Sequence, residues 1–353
     1  MGYARAKQFI EHIKHPAFLV QDNGVLCANT AGRTYIHTQA TASLVMVNSY
    51  MDLIAHTGGV LFTKVALENS IYNASVINRY GVNIIVLETN AVPLYMHKEM
   101  ELITKLREPL FNALIGIDMF SKQNRTSEIL TAKLSLYRIL QTIQNTALLA
   151  TGSSEEHPVD SYNVAKHISD HLERISKLPS MHDRVPTLEF KNDVYCNISA
   201  DRFDFAFFNL LSNALKHSPP KSPIEVVLRQ SNGKLYITVK NIYKPMEAYK
   251  HPNWSILSEA KTIEADLYDL GLGPSIKLAR DFAVEHDGTL FCNITHVEEA
   301  ENTYEVEFTL SLPELHQQDV VLRSPPPFIA EENAGFDDAL VLLSDLLNIN
   351  DLR

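Results

Sequence analysis

Asn209-Leu-Leu-Ser-Asn-Ala-Leu-Lys-His-Ser-Pro219 combines a helical pattern with polar groups that a plain core helix does not need. Asn209 and Asn213 are four residues apart, so their carboxamides share one face of the helix. With Lys216 they form a set that can hold a hydrated metal ion and the phosphates it carries. The alternative is an ordinary amphipathic helix with solvated asparagines, and the surrounding chain decides between the two. Apolar residues at helical spacing supply the buried face: Phe203, Phe207, Leu210, Leu211 and Ala214.

Strand patterns and a glycine pair surround this helix. A helix over 162–177 and strand candidates at 187–190 and 194–198 precede it, and alternating strands follow at 224–229 and 235–240. Gly271-Leu-Gly273 then opens a helix from Ser275 to about His286, and strands near 289–293 and 304–312 close the region. This order predicts an antiparallel sheet with helices segregated to one face, an α+β sandwich.

In this order, the region from Pro158 to Leu312 resembles the ATP-binding domain of sensor histidine kinases. The stretch from Asn209 to Lys216 matches the family's N-box. The resemblance implies that Asn213 coordinates the magnesium ion bridging the phosphates and that Lys216 lies near them. Gly271-Leu-Gly273 matches the second glycine box, where glycine lets backbone amides approach phosphate oxygens at a helix N-terminus. The implied ligands are ATP and Mg²⁺, with Asn213 on the metal and the nucleotide held by Asn209, Asn213, Lys216, Asn241, Gly271 and Gly273. His286-Asp-Gly288 matches a helix-ending His-Gly-Gly.

The adenine side departs from the family. The first glycine box has an aspartate that accepts from the adenine amino group, and Asn241 stands there as a neutral, weaker acceptor. Tyr243 and Pro245 replace both glycines of that box and crowd the approach to the base. Asp269 brings a negative charge near the triphosphate. We therefore expect weakened ATP binding.

The phosphoacceptor position departs further. The family's acceptor box reads His-Glu-x-Arg-x-Pro-Leu, and here Thr104 stands at the histidine position and Lys105 at the acidic one. A hydroxyl beside a lysine lacks the adjacent base that a nucleophile of this kind needs, so autophosphorylation at this site is not expected. His97, two turns upstream, is a displaced-acceptor alternative to a solvated or packed histidine. The remainder of the box matches in register at Arg107, Pro109 and Leu110.

Two further segments precede this domain. The first hairpin, with its Asn-Gly turn, and strands at 59–66 and 83–87 predict a small antiparallel sheet with helices on one face. Apolar steps of three and four over 95–122, and a second helix over 128–151, predict an antiparallel helical hairpin that dimerises into a four-helix bundle. The first hairpin resembles that of PAS sensor domains at Pro16, Phe18, Val20, Gly24, Val25 and Asn29.

The composition limits the number of domains, the binding partners and the location that we expect for the protein. The 353 residues suffice for two or three globular domains, and the net charge of −11, without a basic cluster, argues against nucleic-acid binding. Three scattered cysteines support neither a disulfide framework nor a cysteine zinc site. The N-terminus lacks an apolar signal region and no run is long enough to span a bilayer, which predicts a soluble cytoplasmic protein without membrane insertion.

The predicted arrangement is a PAS-like sensor at 1–90, a dimerisation hairpin at 91–157, an ATP-binding-type domain at 158–314 and a Pro-rich linker with a short helical tail at 315–353. The leading hypothesis is a homodimeric sensor histidine kinase homologue of two-component signalling. In this hypothesis the protein has lost its acceptor histidine. It regulates a response regulator or other signalling protein through nucleotide- or ligand-dependent conformational change. The alternatives are an active kinase that phosphorylates a partner in trans and a non-enzymatic dimeric scaffold.

Overall fold

The computed structural model describes residues 2–13, 15–21, 23–36, 44–46, 60–67, 70–79, 82–87, 106, 109–110, 112–121, 124–151, 159–244, 273–297, 303–315 and 338–352. The chain divides into two compact units. The first contains Met1–Ala91, Ile242–Gly273 and Ala283–Leu312, and the second contains Val92–Asn241, Pro274–Phe282 and Pro313–Arg353. Residues 283–312 group with the first unit, and the predicted division into four segments stays a prediction.

The helices and strands follow in chain order. They are α1 (Gly2–Glu11), β1 (Ala17–Gln21), β2 (Gly24–Ala28), β3 (Leu44–Met46), β4 (Val60–Leu67), β5 (Ser70–Arg79), β6 (Val82–Leu87), α2 (112–121), α3 (Ser127–Thr151), β7 (Asp160–Asn163), α4 (Val164–Ser176), β8 (Thr187–Glu189), β9 (Tyr195–Ile198), α5 (Ala200–His217), β10 (Ile224–Ser231), β11 (Lys234–Tyr243), α6 (Gly273–Glu285), β12 (Thr289–His296), β13 (Tyr304–Pro313) and α7 (Asp338–Leu342).

An antiparallel sheet forms the first unit, in the order β2-β1-β6-β5-β4-β12-β13, with β3 also beside β4. The predicted β1–β2 hairpin is confirmed, and Asn23 in its turn has a φ of 65°. The sequence did not predict β5, since Asn73, Ser75 and Asn78 interrupt its apolar pattern. Nor did the sequence predict that β12 pairs with β4, through Leu290–Phe62 and Cys292–Val60.

The second unit begins with the predicted helical hairpin. Lys133 Nζ on α3 lies 2.5 Å from Asp118 Oδ1 on α2. Leu114, one turn earlier on α2, shares a core cluster with Tyr137, one turn later on α3. This register is that of two antiparallel helices. The predicted first part of the hairpin, up to residue 105, lies outside the described residues, and the four-helix bundle stays a prediction.

The remainder of the second unit combines two small sheets with α4 and α5. β7 pairs with β9, and β10 pairs antiparallel with β11. β8 runs parallel to β10, so the prediction of a purely antiparallel sheet was wrong for this strand. The reason is its connection: the chain passes through β9 and α5 between β8 and β10, and such a crossover makes two neighbouring strands parallel. None of the helices in the described part of the chain has the length and apolar character needed to span a bilayer.

Candidate functional site

The candidate site lies on the C-terminal half of α5. This helix buries the predicted apolar face, and the rings of Phe203 and Phe207 stack with centroids 6.0 Å apart. It ends at His217 because Ser218, with φ −82° and ψ 139°, precedes Pro219, and proline favours an extended conformation at the residue before it. The helix that the opening motif predicted is confirmed.

The two asparagines of the motif differ in their surroundings. Asn209 is buried, and its Nδ2 donates to the Phe205 carbonyl oxygen at 2.8 Å and lies 3.5 Å from Asn145 Oδ1 on α3. Asn213, one turn later, is only half-buried. The first asparagine thus fixes the helix against α3, while the second lies nearer to solvent, where a ligand can reach it.

Lys216 already has an anionic partner. Its Nζ lies 2.8 Å from Asp345 Oδ2, and the two side chains are 34% and 44% exposed. Asp345 comes from the end of the chain, for which the sequence predicted a short helical tail. In the structure this tail forms α7 and a 3₁₀ turn at Ile349–Leu352. The basic group expected near the phosphates is therefore held by a carboxylate of the same chain.

Side chains of α3 hold the tail in this position. Gln141 Nε2 donates to the Leu342 carbonyl oxygen at 2.5 Å, and Ser344 Oγ donates to Gln141 Oε1 at 3.1 Å. Arg138 donates through Nε to the Ser344 carbonyl oxygen and through Nη2 to that of Leu347. Val341 also joins the core cluster of the helical hairpin. These polar and apolar contacts together hold the tail so that Asp345 lies beside Lys216.

Asn241 is built into the protein interior. It is 4% exposed, and its Nδ2 donates to Ser218 Oγ at 3.1 Å, which in turn donates to the Ala214 carbonyl oxygen at 2.6 Å. This relay ties β11 to the end of α5. The predicted acceptor for the adenine amino group is thus buried beside the N-box helix and engaged through its amide nitrogen.

The other predicted site residues are described only in part. Gly273 is the first residue of α6, the position that the glycine-box resemblance gives it. Gly271, Thr104 and His97 lie outside the described residues, so the glycine box and the loss of the acceptor histidine stay predictions. Tyr243, predicted to crowd the base, is 7% exposed.

Burial keeps two of the three cysteine thiols protonated at neutral pH. All three are buried and free. Burial raises the pKa of the Cys196 and Cys292 thiols to about 12, because a thiolate loses its hydration inside the protein. These two side chains are therefore parts of the core.

No protein-family model matches the chain, and no curated protein matches it. Solved structures similar to it include ShkA in complex with AMPPNP, at 12% identity and a TM-score of 0.40 over 62% of this chain and 46% of that chain. Acinetobacter baumannii histidine kinase AdeS matches at 12% and 0.36 over 59% and 97% of the two chains. A mycobacterial sensor histidine kinase, MprB, matches at 18% and 0.31 over 44% and 97%. Histidine kinases thus stand among the solved structures similar to this chain, and at these values no residue role is carried over from them.

Proposed function

We propose that this chain is a divergent sensor histidine kinase homologue of two-component signalling that acts through a nucleotide-dependent conformational change. The observation that carries the proposal is the 2.8 Å ion pair between Lys216 Nζ and Asp345 Oδ2. A carboxylate oxygen and a phosphate oxygen are alternative partners for one ammonium group. Nucleotide binding at the N-box and docking of the tail therefore compete for Lys216.

The phosphate end of the site fits a magnesium nucleotide. The Asn213 carboxamide offers the kind of hard oxygen ligand that Mg²⁺ takes, and Lys216 is a point charge of the type that binds phosphates. The nucleotide would supply the charged phosphates with which Asp345 competes. The adenine end is less suited to it, because Asn241 is a neutral acceptor that also donates to Ser218. The affinity we propose is accordingly modest.

Release of Asp345 from Lys216 weakens the attachment of the tail to the rest of the protein. Once Lys216 turns to a phosphate, the tail loses its ion pair to α5, and its remaining contacts to Arg138 and Gln141 on α3 loosen. Because α3 belongs to the proposed dimerisation hairpin, loosening the tail exposes a face of that hairpin. We propose this exposure as the signal that a response regulator or another signalling protein reads, with residues 1–90 as a PAS-like sensor.

Calorimetric titration of the full chain with MgATP tests this function. We expect the Asp345→Ala variant to bind about 1.4- to fivefold more tightly than the wild type, because an exposed ion pair is worth about 0.2–1 kcal/mol. Asn213→Ala and Lys216→Ala should each weaken binding by tenfold or more. Glu173→Ala is the matched control, since it removes an exposed carboxylate 2.8 Å from a lysine on α4 and should leave the affinity unchanged.

The same titration separates the alternatives. If neither the wild type nor Asp345→Ala binds MgATP, the chain is a non-enzymatic scaffold and the proposal is wrong. If labelled phosphate passes from ATP to a partner protein, and Asn213→Ala abolishes the transfer, the chain is an active kinase in trans. A phosphohistidine on the chain itself would contradict the loss of the acceptor.

We also propose that the helical hairpin makes the protein a homodimer. Large apolar side chains project from it into solvent: Leu106 is 42% exposed, Met119 65%, Phe120 57% and Ile139 44%. Several such residues on one element mark an association surface more often than a monomer's free face, and two antiparallel hairpins bury one another in a four-helix bundle.

Light scattering coupled to size exclusion checks the oligomeric state. The wild type should elute with the mass of two chains, and the double substitution Met119→Glu with Phe120→Glu should halve that mass, because carboxylates do not enter an apolar interface without cost. Ile71→Glu is the control, since Ile71 is equally exposed at 65% but lies on β5. A double variant that stays dimeric would place the interface elsewhere.

A further inference from the structure

A second group of chemistry-bearing side chains lies on the other face of α5. Asp204 and Asn213 are nine residues apart, which is two and a half helical turns or about 13 Å along the axis. Asp204 therefore points away from the candidate nucleotide site. It meets His167 and His171, which stand four residues apart on one face of α4. We name these three residues the His-His-Asp cluster.

The ligand atoms of the cluster converge on a single point. His167 Nε2 lies 2.7 Å and His171 Nε2 lies 3.0 Å from the same oxygen, Asp204 Oδ1. The two Nε2 atoms lie 3.1 Å from each other. Each of the three atoms is thus within contact distance of both others.

Hydrogen bonds alone do not account for all three of these short contacts. A neutral imidazole carries at most one hydrogen on Nε2, and an ionised carboxylate carries none. If both Nε2 atoms hold hydrogens for Asp204, the contact between the two histidines joins two donors. If only one holds a hydrogen, one contact to the carboxylate joins two acceptors. Each arrangement of hydrogens leaves one of the three short contacts unfavourable.

A cation bound by all three atoms removes the conflict, because each atom then turns a lone pair toward it. Metal–ligand distances are about 2.0–2.2 Å for imidazole nitrogen and carboxylate oxygen. Two ligands at these distances lie about 3 Å apart at right angles and about 3.4 Å apart at the tetrahedral angle that Zn²⁺ prefers, so the three atoms need to separate by only about 0.3–0.7 Å to bind the ion. The geometry points to a divalent transition-metal site, and we propose that His167, His171 and Asp204 bind Zn²⁺.

The surroundings suit a buried ion. The side chains of His167, His171 and Asp204 are 10%, 3% and 15% exposed, so the cluster is largely removed from water and the residual exposure is greatest at the carboxylate. Aromatic rings enclose it. The His167 ring packs edge-on against Tyr162 and near Phe203, and the His171 ring packs edge-on against Phe208. A low-dielectric shell strengthens the attraction between the carboxylate and a cation.

Two imidazoles and one carboxylate also select the class of ion. Imidazole favours zinc and its neighbours among the transition metals, whereas Mg²⁺ and Ca²⁺ prefer oxygen ligands. The site is thus chemically distinct from the proposed magnesium position at Asn213. The ligands come from α4 and α5, so a bound ion would link these two helices of the second unit. Binding would therefore stabilise the folded state.

Titration of the full, chelator-treated chain with ZnCl₂ tests the proposal without any nucleotide. We expect one Zn²⁺ per chain and a rise in melting temperature on binding. Co²⁺ in place of Zn²⁺ should give visible absorption bands from nitrogen and oxygen ligands. His167→Gln and Asp204→Asn should weaken Zn²⁺ binding by about 100-fold or more, because each removes one of three ligands. His182→Ala is the control, since this exposed histidine lies outside the cluster, and it should bind as the wild type does.

Two results would overturn the site. One is a wild-type chain that binds no Zn²⁺ at micromolar concentration, which would leave the cluster as a hydrogen-bonded network. The other is binding that persists equally in His167→Gln, Asp204→Asn and His182→Ala, which would place the ion elsewhere. If the variants are poorly folded, imidazole ¹⁵N shifts of the wild type decide, since Zn²⁺ must move the Nε2 resonances of two histidines. Loss of this site would leave the nucleotide proposal unaffected, and the reverse also holds.

Discussion

Replacing Asn29 with alanine is expected to lower the free energy of unfolding of the first unit by about 4 kcal/mol. Asn29 is 1% exposed, and its side chain uses both ends. Its Oδ1 accepts from the backbone N–H groups of Ala17 at 3.0 Å and Gly32 at 2.7 Å. The two N–H groups of its Nδ2 are shared among three backbone carbonyl oxygens, at 3.2 Å for Ile10 and at 2.8 Å for both Ile13 and His15.

Alanine removes the partner that Asn29 provides to these backbone groups, of which the Ile10 carbonyl oxygen keeps its bond from the Ile13 N–H. A buried donor or acceptor that loses its hydrogen bond costs about 1–3 kcal/mol, and several groups lose theirs at once. The contacts join the end of α1, the start of β1 and the turn at Gly32, so the loss affects three segments together. The contributions are not additive, and the expected total is therefore nearer to the sum of two such losses than of five.

Urea unfolding followed by circular dichroism measures the effect, and hydrogen exchange of residues 15–30 locates it. Asn83→Ala is the matched control: Asn83 is half-buried in the same unit and accepts one hydrogen bond, from Asn78, so its removal should cost less than 1 kcal/mol. Asn29→Asp distinguishes the two ends of the side chain, because it keeps the acceptor and loses the N–H donors of Nδ2. A loss below 1 kcal/mol for Asn29→Ala would refute the structural role.

Asn29 also shows how far the sequence could predict the fold. The spacing from Pro16 through Gly24 to Asn29 predicts the first hairpin, and the structure confirms β1 and β2. The spacing does not show why an asparagine follows the hairpin, because Ile10 and His15 reach it only after α1 folds back on β1. A residue that stabilises the fold through contacts between separate segments cannot be identified from the periodicity of the sequence.

The same limit applies to the candidate sites. Asn213 and Lys216 could be found from their spacing on one helix, since neighbours at three and four residues meet without tertiary information. Asp345 could not be assigned to Lys216, because 129 residues separate them. His167 and His171 have the helical spacing of a ligand pair, and the signal becomes interpretable only when Asp204 completes the group.

Strand pairing is a further feature of the fold that the sequence does not predict. An apolar alternation predicts that a segment is a strand, and it predicted β12 over 289–293 correctly. It carries no information on which strand becomes its neighbour, and β12 pairs with β4, more than 200 residues earlier. β8 is only three residues long, so its direction follows from the crossover through α5 and not from its own sequence.

Replacing Gly288 with alanine is the second substitution with a large expected effect, about 3 kcal/mol of lost stability. Gly288 closes α6: its N–H donates to the Ala283 carbonyl oxygen at 2.8 Å, and Asp287 before it adopts φ 54°. This is the left-handed helix end in which a residue past the terminus bonds back to the last turn. A Cβ at Gly288 would overlap the carbonyl oxygen of Ser311.

The neighbouring strand pair holds that carbonyl in place. Thr289 lies opposite Ser311 in the β12–β13 ladder, and the Thr289 N–H donates to Ser311 Oγ at 3.1 Å. Because the obstacle is a backbone oxygen in a paired strand and not the end of a flexible side chain, relief requires the helix end or the strand to move. The match of His286-Asp-Gly288 to the helix-ending motif thus has a structural cause that is independent of nucleotide.

Gly116→Ala is the control with the opposite expected sign. Gly116 lies in α2, and an added Cβ would meet nothing within 4 Å, so alanine should stabilise that helix by about 0.5–1 kcal/mol through its better helix propensity. Thermal unfolding of the two variants should therefore move in opposite directions from the wild type. If Gly288→Ala melts with the wild type, the close contact between the end of α6 and β13 is absent in solution, and the helix-ending motif would need another explanation.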